Sequence, residues 1–236
     1  MRSQYKNLDA ATKNVDPRKQ LQPSQYISFE GIEKDGPRIL FVGNSITLHG
    51  VLPEIGWLNS WGMAASAKEK DYVHLCYAHI QKKYPEASFC ICQAAVWERS
   101  YKTGTEFFPQ FQNARDYDAD LIILKLSANT YPKDYDETLF TEQFAKLVDF
   151  LNKSGKAKVI VCTEFFMHPA RDAFIRFASN RNYPLCDLSD LGSMNEMKAI
   201  GLFEHSGVAA HPGDLGMQTI AKRICDIVDT FTLQVR

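Results

Sequence analysis

The chain has 236 residues, 45% hydrophobic and 23% charged, with a formal net charge of -1 at pH 7. That length and balance suit one large α/β domain and exclude an intrinsically disordered chain. The near-neutral charge argues against a general nucleic-acid or membrane-surface binder. No apolar run approaches the roughly 18 residues of a membrane span, and residues 1–20 lack the apolar stretch of a secretory signal, so the expectation is a cytoplasmic protein or one whose leader has been removed.

Residues 1–36 are polar, with Pro17, Pro23 and the pair Gly31/Gly36. Within them, Gln25–Glu30 alternates as a short edge strand should. The arm is too short and polar to be a domain. It is expected to pack on the main domain, residues 37–236, or on a neighbouring subunit, which leaves a homo-oligomer open. From Arg38 onward, the runs Ile39–Gly43, Ser88–Cys92, Leu121–Leu126, Lys158–Thr163 and Tyr183–Leu188 are short, β-rich and nearly continuously apolar. Parallel strands covered on both faces read this way. Ser66-Ala-Lys-Glu69 has the pattern of a capping box and predicts a helix from there to near Tyr84-Pro85. A second helical face is marked by Phe140, Phe144, Leu147, Val148 and Leu151, and further helices are predicted over 170–182 and 213–231. The alternation predicts a doubly wound three-layer α/β/α sandwich. The connection from Thr47 to Ser66 is unusually long, as functional loops often are. Cys76, Cys90, Cys92, Cys162, Cys186 and Cys225 sit at irregular spacing, mostly among apolar neighbours, and read as reduced core residues. No metal is expected, since His205 and His211 have poor ligand spacing.

In open parallel sheets, sites form at the carboxyl ends of the strands where strand order reverses. The first strand delivers Gly43-Asn44-Ser45 there, the second runs into Gln93 and on to Trp97-Glu98, the third ends at Ser127-Ala-Asn129, and His211-Pro212 precedes the last helix. A hydroxyl, a side-chain amide and an imidazole are the parts of acyl transfer: a nucleophile, an oxyanion donor and a base poised for neutral pH.

Gly43-Asn44-Ser45, Asn129 and His211-Pro212 resemble, in order and spacing over roughly residues 38–232, the motif blocks of the SGNH (GDSL-like) hydrolase superfamily. The resemblance implies a flavodoxin-like fold with a five-stranded parallel sheet, and ester hydrolysis through a seryl acyl-enzyme with no metal or cofactor. Carried over by position, Ser45 resembles the nucleophile and its N–H an oxyanion donor, Asn129 the side-chain donor and His211 the general base. Two blocks depart from the pattern. Trp97 stands where a glycine normally supplies the third oxyanion donor, followed by Glu98; a shift of register makes Ala94 or Ala95 the donor instead. Val208 stands three residues before His211, where the family places its acid. Three partners for the imidazole stay open: Glu204 folding back across Gly207, Glu164 from the fourth strand, or a backbone carbonyl in a Ser–His dyad.

Trp57, Trp61 and Trp97 all follow the first two strands, with Tyr101, Phe107, Phe108 and Phe111 behind them. Such rings stack on a sugar, hold an acyl chain or anchor a loop. Together with Asn44 and Glu98, Trp57 and Trp61 are the candidate substrate-binding residues. The expected function is a serine esterase acting on acetylated or otherwise acylated carbohydrate, its partner a small-molecule or oligosaccharide ester. The alternatives are a lysophospholipase- or thioesterase-type acyl hydrolase, and a catalytically weak glycan-binding domain motivated by Val208.

Overall fold

The computed structural model describes residues 21–32 and 35–233. Strands β1 (Ile27–Glu30), β2 (Arg38–Gly43), β3 (Ser88–Gln93), β4 (Leu121–Leu124), β5 (Lys158–Cys162) and β6 (Leu185–Cys186) form one sheet in the order β1-β3-β2-β4-β5-β6. β2 to β6 are parallel to one another and build the expected five-stranded sheet. β1 adds a sixth strand, antiparallel on β3. Ile39, Leu40, Phe41 and Val42 are all fully buried, as a central strand covered on both faces requires.

Helices α1 (Tyr72–Lys83) and α7 (Asp214–Val228) pack together on one face, and α3 (Gln112–Asp116), α4 (Glu137–Leu151) and α5 (Arg171–Arg181) on the other. Two short helices, α2 (Ala95–Arg99) and α6 (Ser206–Ala209), lie in the loops beyond the strand ends. β2 sits between β3 and β4, so the order reverses at its carboxyl end, where the crevice is expected.

The first long helix starts later than its capping-box pattern predicts. Asp71 is its cap, accepting from His74 N–H at 2.8 Å. Ser66 is occupied elsewhere: its N–H and Oγ donate to the Asp214 carboxylate at 2.8 and 2.7 Å, tying this segment to the start of α7. A long-range partner therefore outcompetes the local box.

Of the N-terminal arm, residues 1–20 and 33–34 lie outside the described residues. Leu21 and Tyr26 are buried in the main core, so the described part packs on the chain's own sheet. All six cysteines are buried and free. Among the described residues, no helix is long and apolar enough to cross a membrane, and no group of three or more His, Cys, Asp or Glu side chains is arranged to hold a metal ion.

Only the ends of the long connection after β2, through Leu48 and Ala65, are buried in the main core. Ile55, Trp57, Met63 and Ala64 join Ala199 and Val208 in a separate apolar cluster. Trp57 is its centre, edge-on to Trp61 at 6.0 Å between ring centroids and tilted on Phe203 at 5.9 Å. This satellite core clamps the loop after β2 to the segment before α7. Those two segments carry Ser45 and His211.

Candidate active site

A Cβ on Gly43 would lie 1.8 Å from Thr47 Oγ1, so glycine is what lets β2 turn back so sharply. Thr47 N–H and Leu48 N–H both donate to Asn44 O, at 2.9 and 3.0 Å, closing a helical turn in which Ser45 follows the first residue. The serine is anchored again through its carbonyl, which accepts from Met63 N–H at 2.9 Å.

On the opposite loop, His211 N–H donates to Val208 O at 3.0 Å, immediately after the single turn of α6. The His211 ring meets Ser45 Oγ through Nε2 at 2.8 Å and Gly207 O through Nδ1 at 2.6 Å. A carbonyl oxygen only accepts, so Nδ1 carries the proton and Nε2 offers its lone pair to the Ser45 hydroxyl. Phe166 packs edge-on against the same ring at 5.5 Å. Burial pushes the imidazole down to about 4, with His49 and Lys125 adding to the depression and the Gly207 carbonyl opposing it. The ring is thus neutral at pH 7, the form a base needs.

Val208 occupies the acid's position for a packing reason: it is 1% exposed, in the satellite core. Glu204 is exposed, and the ring nitrogen for which it was a candidate partner faces Gly207 O instead. Glu164 is committed elsewhere as well.

Beneath Ser45 lies a buried polar network. Asn44 Nδ2 donates to Glu98 Oε1 at 3.0 Å and to Glu164 Oε1 at 2.7 Å. Lys125 Nζ donates to Glu164 Oε2 at 2.8 Å, and both side chains are almost wholly shielded from solvent. Asn129 Nδ2 donates to Glu98 Oε2 at 2.5 Å, Ser127 N–H donates to Glu98 Oε1, and Ala128 N–H donates to Glu164 Oε1 at 3.3 Å. The two carboxylates therefore hold the loop after β4 against the turn after β2. Ser127 needs holding, since its φ of 137° is a conformation that side-chain-bearing residues rarely adopt. Burial, then the charge of Glu164, pushes Glu98 up to about 7. Burial would raise Glu164 too, but Lys125 keeps it below the usual carboxylate range.

A cavity of about 290 Å³ opens over the Ser45–His211 pair, lined among others by Ser45, His211, Asn129, Ala128, Phe166 and Arg99. The structure thus brings Ser45, Asn129 and His211 to one wall. It does not bring the other candidates there. Trp57 is fully buried with its Nε1 donating to His49 O at 3.3 Å, and half-buried Trp61 donates to Ala65 O at 2.9 Å. Both act as loop anchors and neither lines the cavity. Trp97, whose backbone N–H was the expected donor, lies within α2 and does not line the cavity; its ring is buried on the α4 side, tilted on Phe140 and Phe144, and Phe108 stacks on Phe150 away from the cavity. Asn44 and Glu98 are fully buried beneath the site and do not line it.

Sequence reasoning missed Lys125, Arg99 and His49, and of the three partners it left open for the imidazole the structure shows the backbone carbonyl, that of Gly207. Lys125 had a signal, being one charge inside the apolar run Leu121–Leu126. Arg99 and His49 had none. A backbone carbonyl leaves no trace in residue identity.

No known family model matches the sequence, and no curated protein matches it. Solved structures do. One is a two-domain esterase active on acetylated mannans, crystallised with mannopentaose: TM-score 0.55 and 19% identity, over 85% of this chain and 50% of that one. Another is a family two carbohydrate esterase from Clostridium thermocellum in complex with cellohexaose: TM-score 0.54 and 12% identity, over 82% and 64%. A third is a protein assigned to the G-D-S-L lipolytic family from Desulfitobacterium hafniense: TM-score 0.50 and 12% identity, over 80% and 98%. The chain has an SGNH-hydrolase-like fold. It spans half the length of the first of these proteins and 64% of the second. In this SGNH-like frame the strand-end crevice falls where Ser45, Asn129 and His211 meet.

Proposed function

We propose that the chain is a serine esterase that cleaves small acyl groups, foremost acetyl, from carbohydrate through a Ser45–His211 dyad. Ser45 Oγ attacks the ester carbonyl as His211 Nε2 takes its proton. Gly207 O holds the Nδ1–H throughout and stabilises the imidazolium with a dipole in place of a charge. The Ser45 N–H and the Asn129 amide, oriented by Glu98, receive the oxyanion. His211 returns the proton to the leaving alcohol, and water discharges the acyl-enzyme with His211 again as base.

The observation that carries this reading is the 2.8 Å contact between Ser45 Oγ and the Nε2 of a ring whose other nitrogen is pinned on a carbonyl. The cavity supports a small substrate, since about 290 Å³ lies at the low end of ligand pockets, roughly 300–1,000 Å³. Carbohydrate is favoured by the kinship in fold with esterases of acetylated mannan and of the carbohydrate esterase class. Labelling with a fluorophosphonate probe tests the mechanism. An adduct on the wild type that disappears in Ser45→Ala is expected; no adduct on the wild type contradicts it. Nitrophenyl esters test the acyl size, and a rate that climbs from acetate to octanoate contradicts a small-acyl enzyme.

A further inference from the structure

Arg99 closes α2 and lines the cavity that holds the dyad. Its guanidinium carbon lies over the Tyr131 ring, 3.6 Å from the centroid, a cation–π contact that restrains it. Its Nε is buried and has no hydrogen-bond acceptor. The other described arginines are all engaged. Arg171, Arg176, Arg181 and Arg223 each pair with a carboxylate, and Arg38 and Arg115 donate to backbone carbonyls. Among the described residues, Arg99 alone of its kind has no protein acceptor.

The cavity wall sharpens the point. It carries no Asp or Glu. Its three histidines, His49, His205 and His211, are all depressed by burial and are neutral at pH 7. Arg99 is therefore the one formal charge on the wall. A guanidinium presents donors in a rigid fork that matches a carboxylate, and a restrained fork loses little entropy on binding one. Restrained, unpaired and facing the chamber where the ester must sit, it is built to accept an anion.

We infer that Arg99 binds a carboxylate carried by the substrate, so that the preferred ester belongs to an anionic molecule, foremost an acylated sugar acid. This rests on the esterase reading above for the word ester, although binding of the acid stands separately. The carboxylate has two sources, the alcohol side, as in an O-acetylated uronic acid, or the acyl side, as in the half-ester of a dicarboxylic acid.

Calorimetric binding to the Ser45→Ala protein, which cannot turn substrate over, tests the inference apart from catalysis. O-acetylated galacturonic acid should bind at least about tenfold tighter than its methyl ester, with the preference weakening as salt rises. In the double variant Ser45→Ala/Arg99→Gln the two ligands should bind alike, and Arg99→Lys should keep part of the preference. A second arm compares mono-4-nitrophenyl adipate with 4-nitrophenyl hexanoate; an Arg99-dependent preference there and not for the sugar acid assigns the carboxylate to the acyl side. Equal affinity for acid and methyl ester together with equal affinity for adipate and hexanoate, including no measurable binding of any, overturns the inference. So does a preference that survives Arg99→Gln. If the acid binds as expected but the wild type takes no fluorophosphonate label, the esterase reading falls and the carboxylate site stands.

Discussion

The two sides of Ser45 are built on opposite electrostatic plans. Toward solvent, the His211 imidazole is neutral and held by a backbone carbonyl, with no carboxylate hydrogen-bonded to it. Beneath the serine, two glutamates, a lysine and an asparagine are buried together, and their charge is spent on holding backbone and amide groups in place. The difference teaches where carboxylates are needed in this site. They fix the loop that carries Asn129, while the imidazole is positioned by a dipole and by Phe166. One cause gives the two groups opposed shifts: burial lowers His211 because a cation is disfavoured, and raises Glu98 because an anion is.

Substitutions that separate the two plans should differ widely in size. Lys125→Met leaves Glu164 buried without its cation, and breaking a buried pair in this way costs about 3–5 kcal/mol. Thermal denaturation should show a large drop in Tm; a loss under about 1 kcal/mol would break the claim that the network is a single paired unit. Glu98→Gln comes next. It replaces an acceptor-only group by an amide whose NH2 faces either Asn129 or the Ser127–Asn44 side. Either way the loop that carries Asn129 loses one of its ties, and kcat on a neutral ester should fall roughly 10–100-fold with little change in KM, as expected for weakening one oxyanion donor. The pH dependence of stability adds a second readout. Because Glu98 is raised in the folded protein, the native state binds more protons between the ordinary carboxylate range and about 7, so stability falls as pH rises through that window. Glu98→Gln should flatten this decline, and an unchanged slope would remove Glu98 as its cause. The smallest effect is Glu204→Gln. An exposed carboxylate with no role on the imidazole should change turnover less than about twofold, within the range of ordinary surface substitutions. A fall of orders of magnitude would move the orienting group from Gly207 to Glu204.

Much of this was written in the sequence wherever the signal is repeated along the chain. The five apolar runs locate the parallel strands because burial on both faces forces near-continuous hydrophobicity, and Ser45 and Asn129 after their strands meet His211 before the last helix at the edge the topology gathers. What escaped is information that residue type does not hold. The helix start moved to Asp71 because Ser66 bonds Asp214, 148 positions away. The tryptophans gave no warning of which loop residues they would pack on, so Trp57 and Trp61 read equally well as sugar platforms and as anchors. Val208 signalled that the usual acid was missing, but the Gly207 carbonyl that faces the imidazole is common to every sequence. Arg99 is conspicuous only once each other described guanidinium has been seen to have an acceptor.

The proposed chemistry turns on His211 being a neutral base, protonated at Nδ1 and held by a carbonyl. Nitrogen-15 NMR of the imidazole across a pH titration reads both properties at once. A ring whose folded pKa is depressed stays neutral as pH falls and charges only near the lowered value. An Nδ1-protonated neutral ring is expected from pH 8 down to about 5, charging at about 4. Protonation at an ordinary or raised value, about 6.5 or above, or a neutral ring protonated at Nε2, would contradict it.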